Sequence, residues 1–322
     1  MNKSSPNCTS RGGSGEGPGL QAGRPIEPRN GRGLWMRFPK NSPAIMLLLA
    51  LGCAPSATIP VATLSDMTEK IDWSHFGLTL ARVVEDGRVN YGRLMEDVGP
   101  LSRTLAMLAA HGPKTTPHAF PDRDSRLAYD INAYHATILR SALACARDGQ
   151  LPRRVPADFE RRYRFRIDGR QQSPADLRAA AFREADGDYR VRFALCDGRR
   201  GGPPIPTRPF TPDLLDGQLN FVMRTALYAP QIVRIDHGAP KRLWLWQGLY
   251  EIRDRLVAEY ERQVGASDAT ILNALGQFSN RRRRQLLNAA VGYDVEAMPM
   301  DGDFNQTDPP PPAAEPGVFR LF

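Results

Sequence analysis

The run 127–142 does most to constrain the fold. Leu127, Ile131, Tyr134, Ile138 and Ala142 recur at i, i+4, i+7, i+11 and i+15, the spacing of one helix face. Five apolar positions need cover, so the pattern predicts a helix buried in the core, opened by Asp124 and Ser125 as capping residues. Alternation with period two marks a strand over 163–168, which Gly169 turns, and Ser173 followed by Pro174 starts the next helix. Tyr189, Val191 and Phe193 alternate in the same way, predicting a second strand that runs into Leu195.

Further helices are predicted over 67–85, over 94–108 and after Thr211 and Pro212, then over 248–264, 267–277 and 280–290. Segments 232–235 and 243–246 read as a hairpin around His237 and Gly238. Many helices mixed with few strands give a helix-rich α+β single domain with a small mixed or antiparallel sheet.

Segment 36–53 has a different character. Arg37 and Lys40 precede an apolar run at 44–51, and small residues precede Cys53, the layout of an export signal. Eight residues of helix rise only about 12 Å, well short of the ~30 Å hydrocarbon layer, so removal is expected rather than a permanent span. Ala50, Leu51, Gly52 and Cys53 resemble a bacterial lipobox, which implies lipidation of Cys53, and Ala54 resembles the residue that directs sorting to the outer membrane. Ordinary cleavage after Gly52, giving a soluble periplasmic or secreted chain, is the alternative.

The expected organisation is an untranslated or disordered extension at 1–35 with the true start at Met36, a signal peptide at 36–52 and a tether at 53–65. A domain at 66–306 and a Pro-rich disordered tail at 307–322 complete it.

Net charge is +8, but residues 1–52 hold seven basic and two acidic groups, which leaves +3 for the remainder. No nucleic-acid footprint is expected from so mild a balance, and the run Arg281, Arg282, Arg283, Arg284 reads as a solvated helix face. The five histidines show no metal-ligand spacing and there is no paired-cysteine motif, so neither metal nor cofactor is expected. Beyond Cys8 and Cys53, only Cys145 and Cys196 remain. They are either buried free thiols or a pair formed in an oxidising compartment.

Several short motifs occur in a fixed order: Val89-Asn90-Tyr91; the helix from Ala128 through Asn132, Ala133, Tyr134 and His135; Phe165 to Gly169 with Ser173; Arg190 to Leu195 followed by Gly202-Pro203-Pro204; and Asp301 to Asn305. Together, over 73–305, they resemble the bacterial domain-of-unknown-function family 547. The resemblance implies a glutamate, a histidine and two cysteines that would form an acid–base and thiol constellation. This chain has Arg178 at the glutamate position, Arg192 at the histidine, Asp197 and Gly202 at the cysteines, and His135 where the family has a second asparagine. Cys196 is displaced by one residue, which on a strand would turn it to the opposite face.

Arginine stays protonated and cannot act as a base. The expectation is therefore a non-catalytic envelope module whose rewritten cleft, with Arg178, Arg192, Asp197, Asn132 and Tyr134, binds an anionic or peptide ligand or an envelope protein. The alternative is a hydrolase or transferase that uses Cys196 as nucleophile with His135 or His118 as base.

Overall fold

The computed structural model describes the backbone of Ala57–Thr58 and residues 71–307. Segments 1–35 and 36–52, Cys53, most of the tether and the tail from 308 onward lie outside the described residues. The described residues belong to one compact unit.

Strand β1 (Ala57–Thr58) is followed by helix α1 (Ser74–Val83) and the tight hairpin β2 (Val84–Glu85) and β3 (Arg88–Val89). The expected helix thus stops before Val84, because Asp86 and Gly87 take positive φ (48° and 74°) and reverse the chain. A Cβ on Gly87 would lie 2.3 Å from Pro204, so only glycine fits there.

Next come α2 (Tyr91–Glu96), α3 (Gly99–Ala110) and the 23-residue α4 (Arg123–Cys145). Asp122 caps α4 in a reciprocal box with Ser125, so Ser125 is the third helical residue and the cap lies two residues before the expected one. The helix is buried on nearly every side, hydrophobic residues and Asn132, His135 and Thr137 alike.

The short α5 (Phe159–Arg162) leads directly into β4 (Tyr163–Ile167), which pairs antiparallel with β5 (Arg170–Gln172) and parallel with β1. Helix α6 (Pro174–Glu184) begins at Ser173, whose hydroxyl and the Asp176 carboxylate form a second capping box, and it packs along α4. Then follow α7 (Val191–Ala194), α8 (Leu215–Tyr228), the hairpin β6 (Val233–Asp236) and β7 (Arg242–Leu245), α9 (Gln247–Tyr250), α10 (Arg253–Val264), α11 (Ile271–Gly276), α12 (Arg281–Asn288) and β8 (Asp294–Ala297). Strand β8 lies parallel to β7 and was not anticipated from sequence, its side chains being only half covered.

The architecture is helix-rich α+β with small sheets, as expected. Among the described residues no helix is long and apolar enough to cross a membrane.

The strand expected over 189–195 does not form; residues Val191–Ala194 make a single helical turn. Two hydrophobic cores explain why. One gathers α1 to α6 and β4, the other β6, β7 and the C-terminal helices; Val191 belongs to the first and Phe193 to the second. Residues two apart face the same way on a strand but lie roughly 200° apart on a helix, so an alternating pattern here serves two cores instead of one sheet face.

Residues 301–307 cross three distant parts of the chain. Asp303 O accepts from Arg200 N (2.8 Å), Phe304 N donates to Arg153 O (3.0 Å) and Val89 N donates to Asn305 O (2.9 Å). Phe304 is fully buried between Tyr91 and Phe159, edge-on to both.

Candidate functional site

Three neighbouring side chains of α4 leave it in different directions. Asn132 forms a two-way pair with the backbone of Phe210, its Nδ2 donating to the carbonyl and its Oδ1 accepting from N–H, both at 2.8 Å. That clamps the proline-rich segment before α8 onto α4. Tyr134 Oη donates to Glu160 Oε1 (2.8 Å), and Glu160 Oε2 meets Arg178 Nη1 at 3.0 Å. His135 Nε2 accepts the backbone N–H of Cys196 at 3.2 Å.

His135 and Cys196 are therefore brought together, but through the backbone of Cys196 and not its thiol. With Nε2 occupied as an acceptor, the ring proton sits on Nδ1. Burial pushes the imidazolium pKa down to about 3, against a smaller upward pull from the Ala194 carbonyl. Burial likewise pushes the Cys196 thiol up to about 12, and the nearby Asp197 carboxylate adds to it. The thiol receives Asn305 Nδ2 at 3.5 Å. At neutral pH the pair is a protonated thiol beside a neutral imidazole whose free lone pair is already used, the reverse of an activated nucleophile.

His118 lies exposed on the turn Pro117–Ala119 that leads toward α4. Cys145 and Cys196 are both free; Cys145 is half-buried with its sulfur 3.6 Å from Tyr163 Oη.

The charged residues singled out from the sequence each have a partner within the chain. Arg178 holds Glu160, Arg192 Nη1 reaches Glu251 Oε2 at 3.0 Å, and Asp197 is bridged by Arg199 at 2.7 Å. Arg192 also stacks 5.7 Å over the Phe182 ring, one turn beyond Arg178 on α6. The two arginines thus flank successive turns of one α6 face, and Arg192 stands on the α7 turn rather than on a strand.

Three participants escaped the sequence reading. Glu160 lies in a mixed-charge stretch with nothing to set it apart. Tyr91 and Asn305 were recognised as motif positions but not as neighbours of Cys196, a convergence that only the fold produces across 109 residues. Tyr91 is buried, its phenol pKa raised first by desolvation and then by Cys196 and Asp197. Among the described residues no group of histidine, cysteine, aspartate and glutamate side chains could hold a metal ion.

Residues 118–225 match the family described as Protein of unknown function, DUF547. This segment belongs to that family. The DUF547 segment starts just before α4, ends within α8, and contains Asn132, Tyr134, His135, Glu160, Arg178 and Cys196. The motifs at Val89 and Asn305 fall outside it, although Asn305 closes over the Cys196 that the segment supplies. Comparison with curated proteins and with solved structures gives no match.

Proposed function

We propose that the chain is a non-catalytic binding module of the cell envelope, anchored through a lipid on Cys53, in which the polar cluster around His135 and Cys196 serves as structure. The observation that carries the reading is the His135–Cys196 contact: the imidazole supports a backbone amide, and the thiol is buried and held protonated. The ion pairs of Arg178, Arg192 and Asp197 support it further, since a carboxylate ligand would have to displace Glu160 or Glu251 from an arginine already engaged. Ligand contact is then assigned to open surface and not to the closed cluster.

Alkylation of the native protein tests the proposal. With iodoacetamide at neutral pH, followed by mass spectrometry, Cys196 should remain unmodified long after half-buried Cys145 has reacted, and Cys196→Ser should leave stability nearly unchanged. Rapid labelling of Cys196 that is lost in His135→Asn would establish a thiol enzyme in its place.

A further inference from the structure

A groove of about 1040 Å³ opens where α4 ends, between Cys145, the turn at 147–150, the segment 151–158 and the start of β4 at Tyr163. Arg147, Arg154, Arg161 and Arg162 line it, all exposed, against the single carboxylate of Asp158. Residues 144–166 hold seven arginines and three acids, so this stretch carries more net positive charge than the whole of 53–322. The local carboxylates do not neutralise it: Asp303 is shared between Arg153 (2.9 Å) and Arg154 (3.7 Å), and Arg162 only approaches Asp158 at 3.9 Å. Planar guanidinium forks on a surface of this kind suit phosphate oxygens.

The pairing of β1 sets it against the groove wall. Ala57 lies opposite Tyr163 and Thr58 opposite Arg164 in parallel register. Ala57 therefore sits beside Tyr163, itself a residue of the groove wall. Cys53 is four residues before Ala57, at most about 14 Å of extended chain.

We propose that this arginine-lined groove is the face the protein lays on a membrane, and that its ligand is the anionic phosphate of phospholipid headgroups beside the Cys53 lipid. The proposal rests on the envelope reading above and adds to it an orientation. An acyl anchor and a basic patch on the same side act together, whereas on opposite sides they could not touch one bilayer at once.

The test uses residues 53–322 with Cys53→Ser, which removes the lipid but keeps the compact unit with both cores. It should cosediment with phosphatidylcholine vesicles containing about one-third phosphatidylglycerol, release when salt is raised to about 0.5 M, and ignore pure phosphatidylcholine. Arg147→Glu/Arg161→Glu/Arg162→Glu should lower the bound fraction about tenfold. Arg281→Glu/Arg282→Glu/Arg284→Glu, with the same change in net charge on α12, should leave it unchanged; a milder triple change of the groove residues to glutamine, checked by circular dichroism, should give a smaller loss. Equal losses in the two glutamate triples, equal binding to neutral vesicles, or saturable binding of inorganic phosphate without vesicle binding would each overturn the proposal. Failure of the anchor reading shows separately, as absence of fatty-acid label on Cys53 in the exported protein, whatever the vesicles report.

Discussion

His135 and Asp130 lie five residues apart on α4, both buried, and titrate in opposite senses. Burial, reinforced by Glu184, raises the Asp130 carboxyl to about 7, while His135 falls to about 3. Between about pH 4 and 6.5 the unfolded chain binds more protons at position 135, so that group makes stability rise with pH. The folded chain binds more at position 130, so that group makes stability fall as pH rises from about 4 to 7, and the two slopes offset each other. Asp130→Asn removes one of them. Urea unfolding across this range should show the variant gaining on the parent by up to about 1.4 kcal/mol per pH unit and levelling off above pH 7. A difference independent of pH would mean that Asp130 is ionised in the folded protein throughout.

Among elements, α7 has the greatest consequence for its length. Its four residues serve both cores, and Phe193 inserts into the second one, 5.9 Å from Trp246. Phe193→Ala should cost about 3–5 kcal/mol of unfolding free energy, read from urea denaturation, because the cavity forms where the two cores adjoin and neither can collapse to fill it. A loss below about 1 kcal/mol would show the cores to be independent there. This is also where sequence reading was least able to follow the chain. The α4 stripe, β4, the Ser173 start of α6 and the β6–β7 hairpin were legible because each shows one periodicity facing one core. Residues Val191 and Phe193 alternate for a different reason, and nothing local distinguishes a strand from a turn shared by two cores. The candidate site was legible as chemistry at Cys196, His135 and Arg178, but not as geometry, since Glu160 and Asn305 reach it only through tertiary contacts.

For the whole molecule, the proposed lipid on Cys53 is the part of the envelope reading that fractionation can test. Expressed from Met36 in a bacterium with two membranes, the protein should fractionate with membranes, and Cys53→Ser should release it on washing at high salt, which also suppresses the arginine contacts. Retention of the Cys53→Ser protein under those conditions would remove the lipid from the account.

The segment 301–307 gives the chain a sense of time as well as shape. Asn305 bonds to Gly87 across 218 residues and to the Cys196 thiol, while Phe304 fills the space between Tyr91 and Phe159. Phe304 is made after every other residue of the first core, so that core keeps an open seam until this segment arrives. Closing so long a loop is slow because chain entropy is lost before the contacts repay it. A polypeptide built this way stays incompletely folded until 301–307 has been made and has closed over Tyr91, Phe159 and Cys196.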